Sequence, residues 1–275
     1  MSDVRSLRRP ATPSRRWLSA ASAAALPPIV AVAVWQAASQ AGWLTERILP
    51  APSSVAAATA ALARSGELWE AAGASALRAL IGLLLGGAAG LILGALNAIA
   101  RRAGAQADRL LQALGLVPVL AFAPLILLWL GAGETARLAL LALGAFFPIY
   151  RRTVRGVREV DAGLVAIGQS CGLQGWPLCV HVILPGALPS MLAGLKRAVG
   201  LVWLILVALE LFAAPSGLGR LALAENGVAR PEVLLGVITL YAAMSAVSRA
   251  LVLALERRLL RWSPAHRPEL FSRTD

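Results

Sequence analysis

Apolar stretches of about 20 residues recur along this chain of 275 residues, and they restrict its fold more than any other feature. A helix of that length crosses the hydrocarbon core of a membrane, which is about 30 Å thick. Apolar residues make up 58% of the chain, which is more than the surface of a soluble domain could conceal. The sequence therefore predicts an all-α polytopic membrane protein with six transmembrane helices. Their expected positions are 24–43, 76–100, 108–130, 135–156, 186–213 and 233–256, with Pro118 and Pro124 interrupting the third.

The distribution of Lys and Arg predicts the orientation of these helices. With the N-terminus inside, seventeen of the 26 basic residues fall in inner segments and five in outer loops. Basic residues accumulate in cytoplasmic loops, so both termini are expected in the cytoplasm. This distribution also accounts for most of the formal net charge of +12. No basic stripe is interleaved with stacking aromatic residues, so no nucleic-acid partner is predicted.

The helix positions divide the chain into segments. Residues 1–23 form a basic tail, and the apolar run after it is too long for a signal peptide and lacks a cleavage site, so helix 24–43 is expected to stay uncleaved. The remaining segments are a periplasmic segment 44–72, a five-helix core 73–256 that includes a cytoplasmic loop 157–184, and a cytoplasmic tail 257–275.

The periplasmic segment contains a possible short helix. Ser53 and Ser54 follow a Pro-Ala-Pro sequence and predict a helix cap. The Ala-rich, mildly amphipathic stretch that follows ends near Arg64 and is expected to form a helix close to the outer surface, with an ordinary loop as the alternative.

Glycines recur every four residues in the second predicted span. Gly82, Gly86, Gly90 and Gly94 therefore lie on one face of a helix. Small residues at this spacing allow another helix backbone to approach closely. The stripe predicts tight helix packing, either within the chain or with a partner subunit.

The sequence offers little for catalysis or metal binding. The letters GQSCG (168–172) match the GxSxG nucleophile elbow, but that elbow requires an α/β sheet that these apolar helices exclude. Cys171, Cys179 and His181 lack the spacing of a zinc site, and cytosolic thiols stay reduced. No GxxxxGK[ST] motif occurs, so the chain is not expected to bind ATP through a P-loop. We predict no enzyme activity, no catalytic residue and no metal site, and any energy for transport must come from another subunit.

Glu210 is the one clear acidic residue inside a predicted span. A carboxylate in a membrane is costly and usually has a partner. Arg249 lies toward the opposite end of its helix, so helix geometry does not pair the two. Two interpretations stay open: Glu210 faces a translocation path, or it tunes helix packing.

The segment Gly163 to Pro189 behaves unlike the spans around it. Four arginines precede it, and glycines and prolines divide it into short pieces. Gly172 is followed by nine residues and then by Val182-Ile183-Leu184-Pro185. This spacing resembles the EAA motif, Glu-Ala-Ala, three residues, Gly, nine residues and I-x-L-P, with which permeases of binding-protein-dependent ABC importers contact their ATPase.

The resemblance extends from about Trp35 to Trp262 and is strongest to the aliphatic sulfonate permeases of the nitrate/sulfonate/taurine group. Stretches that resemble this group are GWLTERILPAP (42–52), SGELW (65–69), ALGAFFPIYRR (142–152), HVILPGALPS (181–190) and SGLGRLA (216–222). It implies a type I ABC importer permease fold in the bacterial inner membrane and transport of a small organic anion. Taurine, nitrate or a pyrimidine precursor are alternative substrates, and a stand-alone secondary transporter is the alternative from a different class.

The resemblance also implies partners. They are cytoplasmic ATP-binding subunits that hold the ATP and Mg²⁺, a periplasmic substrate-binding protein, a second permease chain as a homodimer, and the lipid bilayer, with no cofactor bound by this chain itself. It assigns the ATPase-coupling loop to Asp161, Gly163, Ala166, Gly168, Gly172, Val182, Leu184 and Pro185.

Within this loop, the resemblance assigns physical roles to two residues and shows one departure. Gly172 is expected to provide an unusual φ or a close backbone approach, and Pro185 to restrain the turn into the fifth span. Ala166 stands where the family has an acidic residue, and Asp161 or Glu159 are candidates to compensate.

Overall fold

The computed structural model describes residues 13–100, 104–213, 216–223 and 230–261, and within them every regular element is helical. The α-helices are α1 Pro13–Gln40, α2 Pro52–Ser65, α3 Glu67–Ile99, α4 Gly104–Leu114, α5 Ala123–Leu130, α6 Glu134–Arg158, α7 Ala162–Ser170, α8 Gly175–Leu178, α9 Leu184–Ala213, α10 Leu218–Leu221 and α11 Pro231–Leu259. A 3₁₀ turn at Val119–Phe122 lies between α4 and α5, and a π-turn at Cys179–Ile183 joins α8 to α9. The expected all-helical fold is confirmed.

Helix α6 is the centre of the bundle, with α3 packed on one side and α9 on the other. Helix α11 packs against α9 and against α2. The main cluster of buried apolar side chains lies among these helices and includes Leu141 and Ile149 on α6 and Val202 and Leu206 on α9. Between helices that cross a membrane, such apolar contacts stabilise the bundle through van der Waals packing, because lipid tails are as apolar as these side chains.

The glycine stripe of α3 lies directly against α6. A Cβ at Gly82 or Gly86 would overlap Leu141 or Ala142, and a Cβ at Gly90 would lie 2.8 Å from the carbonyl oxygen of Phe146. A Cβ at Gly94 would likewise meet the Cβ of Thr153 at 2.8 Å. The stripe therefore permits close packing within this chain, as small residues do between membrane helices.

Three helical stretches are long and apolar enough to cross a membrane, namely Glu67–Ile99, Gly175–Leu211 and Pro231–Leu259. They become four if Gln106–Leu114 and Val119–Leu130, which meet at 94°, are one broken span. Helices α1 and α6 are not among these stretches, so six spans remain a prediction. Helix α6 is apolar in its middle but carries charged residues at both ends, with Glu134 and Arg137 at the start and four arginines between Arg151 and Arg158.

The predicted interruption of the third span lies at residues 115–118, between α4 and the 3₁₀ turn. Pro118 immediately precedes that turn, as expected for a residue that cannot continue a helix. Pro124 does not interrupt the span. It stands in the first turn of α5, where its missing N–H leaves no hydrogen bond unmade.

The fifth helix starts earlier than position 186, because α8, the π-turn and α9 form one continuous stretch from Gly175. Pro185 is the second residue of α9 and directly follows the π-turn, so no separate loop precedes it. The N–H of Leu184 bonds to the carbonyl of Cys179, five residues back, which widens the helix directly before the proline. The wider turn accommodates a residue that can neither donate to the preceding turn nor pack closely against it.

Two further boundaries differ from the prediction. Helix α1 extends from Pro13 through Pro27 and Pro28 without a break, so it begins before position 24. Helix α3 begins at Glu67, well before 76, directly after Gly66, whose left-handed φ of 88° ends α2.

The short outer helix exists as α2, but its cap differs from the expected one. Ala51 is the N-cap residue, and neither Ser53 nor Ser54 caps the helix through its side chain. Instead, Gln36 of α1 accepts a hydrogen bond from the backbone N–H of Ser53 at 3.1 Å and donates one to its hydroxyl at 3.1 Å. A side chain from a neighbouring helix thus satisfies an N–H group that α2 leaves unpaired.

Candidate functional site

The docking segment, defined here as residues 161–185, leaves the C-terminal end of α6 and continues into α9. Its first helix, α7, begins after Asp161, whose Oδ1 accepts a hydrogen bond from the backbone N–H of Gly163 at 2.7 Å. An aspartate at an N-cap satisfies one of the donors that a helix start leaves unpaired. Asp161 therefore fixes where α7 starts.

Helix α7 ends in a glycine turn. Gly172 has a φ of 83°, and the N–H of Leu173 donates to the carbonyl of Gly168 at 3.0 Å. This pattern closes the end of a helix and requires a residue that tolerates a left-handed backbone. A Cβ at Gly172 would meet nothing within 4 Å, so backbone conformation and not close approach explains the glycine.

Gly168 is the point of close approach within the docking segment. It is buried, and a Cβ there would lie 2.8 Å from Leu178 and 3.0 Å from Val182. A side chain at 168 would separate α7 from α8 and the π-turn. The absence of a side chain at Gly168 thus allows α7 to pack against α8 and the π-turn.

The docking segment exposes large apolar side chains. Leu164, Ile167 and Trp176 are 52%, 62% and 76% exposed, and Leu184 is 43% exposed. Several exposed large apolar side chains on one short segment are typical of a protein interaction surface. The docking segment therefore presents an apolar surface that is suited to contact with another protein.

Ala166, which replaces the family's acidic residue, is exposed on α7. The two acids expected to compensate for it both make local contacts. Asp161 caps α7, and Glu159 pairs with Arg155 one helical turn away at 2.8 Å. A contact surface that contains Ala166 therefore has less negative charge than the family pattern would supply.

A second site surrounds Glu210, which is 1% exposed. Its carboxylate accepts hydrogen bonds from Ser75 Oγ at 2.7 and 2.8 Å, Arg78 Nη1 at 3.0 Å, Tyr241 Oη at 2.6 Å and the Gly219 N–H at 3.2 Å. A buried carboxylate is tolerated when it is paired and hydrogen-bonded in this way. The structure favours the packing interpretation of Glu210 over one in which its carboxylate is open to a path.

Arg78 extends this cluster to helix α6. It contacts Glu134 of α6 and donates to the carbonyl and hydroxyl of Ser216 at 2.9 and 2.6 Å. Arg137 also pairs with Glu134, at 3.0 Å. We call Ser75, Arg78, Glu134, Arg137, Glu210 and Tyr241 the outer cluster, since it lies at the end of the bundle that is predicted to face outward.

The sequence analysis did not predict the outer cluster, although the spacing of residues on α3 indicates part of it. Ser75 and Arg78 precede Gly82 and Gly86 at helical spacing, so all four share the inward face of α3. That face predicts burial of Arg78 and hence a carboxylate partner. The choice of Glu210 as that partner depends on how α3 and α9 pack.

Ion pairs also join helices at the opposite end of the bundle. Asp108 of α4 pairs with Arg158 of α6 at 2.7 Å and accepts a hydrogen bond from Tyr150 at 3.1 Å. Lys196 of α9 pairs with Glu256 of α11 at 2.9 Å. The Asp108–Arg158 pair lies at the end of α6 from which the docking segment leaves, whereas Lys196–Glu256 joins the interior of α9 to the C-terminal part of α11.

Across the residues that the structure describes, no group of three or more His, Cys, Asp and Glu side chains could hold a metal ion. Cys171 and Cys179 are both free thiols, and Cys171 is exposed.

Relatives of known name cover almost the whole chain. It is 45% identical over 256 residues to the "Putative aliphatic sulfonates transport permease protein SsuC" of Escherichia coli (strain K12), covering 93% of this chain and 97% of that protein. The protein of the same name in Bacillus subtilis (strain 168) is 36% identical, covering 86% of this chain and 85% of its own length.

The fold is similar to that of a solved transporter. An amino acid ABC transporter chain superposes with a TM-score of 0.59 and 18% identity, covering 72% of this chain and 97% of that chain. The family described as "Binding-protein-dependent transport system inner membrane component" matches residues 82–261, which include α6, the docking segment, α9 and α11. This chain belongs to the family of inner membrane components of binding-protein-dependent transport systems.

Proposed function

We propose that this chain is the permease subunit of an ABC importer that carries aliphatic sulfonates across the bacterial inner membrane. The observation that supports this most strongly is the 45% identity over 93% of the chain to a protein named as an aliphatic sulfonates permease. Two copies form the pathway, and both termini of each lie in the cytoplasm with six helices between them. A periplasmic binding protein delivers the anion.

The docking segment transmits the work of ATP hydrolysis. ATP and Mg²⁺ are held by a partner subunit, because this chain has no P-loop motif. Closure of the ATPase dimer pushes on α7, and the exposed side chains of Leu164, Ile167 and Trp176 form the contact. The continuous helix from Gly175 to Leu211 carries that motion directly into the membrane.

The outer cluster keeps the bundle rigid while it moves. Its two carboxylates and two arginines join α3, α6 and α9 at one end, so these helices rotate as a unit. Rigid-body rearrangement around a pathway is a common mode of transporter motion.

The substrate is tested with the complete transporter in proteoliposomes, with labelled ethanesulfonate as the probe. Unlabelled alkanesulfonates should compete for uptake at concentrations at which taurine, nitrate and a pyrimidine do not. Competition by one of those three in preference to alkanesulfonates would assign a different anion within the same family. Uptake of none of them would reject the proposed substrate class.

A further inference from the structure

A basic cavity of about 440 Å³ lies between the break in the third span, α6 and α9. Its volume falls in the range of small-molecule sites. Arg151, Arg152 and Arg155 of α6 and Arg197 of α9 line it. This cavity is separate from the outer cluster and from the docking segment.

Three of these arginines carry positive charge that no described residue neutralises. Arg155 pairs with Glu159, whereas Arg151, Arg152 and Arg197 form no ion pair within the part of the chain that the structure describes. Arg151 donates from Nη2 to the carbonyl of Gly115, and its Nε is buried with no hydrogen-bond partner among the described residues. Three guanidinium groups without an ion-pair partner give this cavity a positive charge that favours an anion.

The position of Arg197 in its helix supports the same conclusion. It lies near the middle of the apolar stretch Gly175–Leu211, and it is exposed on the surface of the bundle. An arginine at membrane depth is expensive unless it faces a water-filled cavity or a partner. The exposed side of α9 at Arg197 is therefore unsuited to contact with lipid tails.

The non-helical backbone between α4 and the 3₁₀ turn also lines this cavity. Residues Gly115 to Val119 line it, and they connect two helices that meet at 94°. Non-helical backbone at membrane depth is tolerated where it lines a cavity or is buried in protein, and broken helices commonly hold substrate in transporters. The rest of the lining is apolar and includes Val117, Phe147 and Leu201.

We infer that this cavity holds the aliphatic anion during its passage through the membrane. The acidic headgroup lies among Arg151, Arg152 and Arg197, and the alkyl chain lies against Val117, Phe147 and Leu201. The inference rests on the proposed function and deepens it by placing a binding site in this chain. Charge selects the headgroup, and the apolar wall selects an aliphatic anion over an inorganic one.

The first test measures the charge of the cavity without requiring transport. The complete transporter carries Cys171→Ser, Cys179→Ser and Leu201→Cys, so that position 201 holds the single cysteine of this chain. The labelling rate of this cysteine is measured with anionic sulfonatoethyl methanethiosulfonate and with its cationic trimethylammonioethyl analogue. Each rate is divided by the rate of the same reagent with a free thiol in solution. The anionic reagent should be favoured at least about tenfold, because a cleft lined by one sign of charge concentrates the opposite ion.

Substitutions identify the source of that preference. Arg197→Gln or Arg151→Gln should each reduce the anionic preference severalfold, whereas Arg249→Gln, an exposed arginine of α11 outside the cavity, should not. Butanesulfonate should slow labelling of the cysteine at 201. An anionic preference that is absent, or that is unchanged by both cavity substitutions, would overturn the inference.

A second test separates this inference from the proposed function. Uptake of butanesulfonate by the unmodified transporter tests the function, and Arg197→Gln should lower that uptake at least about tenfold while the ATPase still co-purifies. Uptake by the native transporter together with equal uptake by Arg197→Gln would retain the function and reject the site.

An anionic lipid headgroup is the rival occupant of the cavity. Labelling is therefore repeated in vesicles of zwitterionic lipid with and without added phosphatidylglycerol. Protection by butanesulfonate in both kinds of vesicle supports the substrate site. Protection by phosphatidylglycerol but not by butanesulfonate would assign the cavity to lipid and overturn the inference.

Discussion

Arg78 of α3 and Glu210 of α9, 132 residues apart in the sequence, form a buried ion pair with 3.0 Å between Nη1 and Oε1. The Glu210 side chain is fully buried, and that of Arg78 is 9% exposed. The pair links α3 and α9, the two helices that pack on either side of α6. Its strength therefore bears on whether the bundle moves as one body.

Glu210→Ala should destabilise the protein severely. It leaves Arg78, Ser75 and Tyr241 without their shared acceptor, and loss of one partner from a buried pair costs about 3–5 kcal/mol. The thermal unfolding midpoint in detergent should fall strongly. Glu159→Ala breaks the exposed pair with Arg155 and serves as the control, since such a pair contributes about 1 kcal/mol or less. Equal midpoints for the two variants would mean that the outer cluster does not stabilise the fold.

Gly86→Leu should prevent α3 from packing on α6. A Cβ at this position already overlaps the backbone of Ala142, which cannot move aside as a flexible side chain could. Gly73→Leu is the matched control on the same helix, because a Cβ there meets nothing within 4 Å. Size-exclusion chromatography of the detergent-extracted protein should show aggregation of the first variant only. A single well-ordered peak for Gly86→Leu would contradict the close packing of α3 on α6.

Gly172→Leu should abolish transport and leave membrane insertion intact. The φ of 83° is strained for a side chain, at a cost of about 1–2 kcal/mol, so the turn that positions α7 against α8 is lost. Gly42→Leu places a comparable strain, at a φ of 75°, outside the docking segment. ATP-dependent uptake is measured for both at equal amounts of membrane protein. Uptake that survives in Gly172→Leu would show that the shape of the docking segment is not needed for coupling.

Ala166→Glu should strengthen binding of the partner ATPase. It restores the acidic residue of the family pattern at an exposed position, where an ion pair contributes about 1 kcal/mol or less and so lowers the Kd by up to about fivefold. The Kd is measured by titrating purified ATPase onto the permease in nanodiscs. Gln169→Glu adds the same charge to another exposed position of α7 and should have a smaller effect. Weaker binding by Ala166→Glu would show that the missing acid does not limit docking.

The sequence predicted those features that depend on local pattern. Apolar runs located α6 and α11 closely, whereas the docking role inferred from the spacing of Gly172 to Leu184-Pro185 stays a prediction. Boundaries were less predictable where a helix tolerates proline, as α1 does at Pro27 and α9 does at Pro185 through the π-turn before it. The continuous helical stretch that contains α9 therefore starts at Gly175, although the prolines favour a later start.

Contacts between distant residues were beyond the sequence argument. The pair between Arg78 and Glu210 exists because α3 and α9 both pack around α6, and no spacing rule along one chain encodes that arrangement. Likewise, Gln36 caps α2 from another helix, whereas local pattern favoured Ser53. A single sequence indicates that a buried charge needs a partner, but the fold selects which one.

We expect this chain to move substrate only when an ATPase acts on its docking segment. The most direct measurement is ethanesulfonate uptake into proteoliposomes that contain the permease and the binding protein, with and without the partner ATPase. Uptake is expected only when both the ATPase and ATP are present. Equal uptake without the ATPase would contradict the claim and identify the chain as a transporter that works alone.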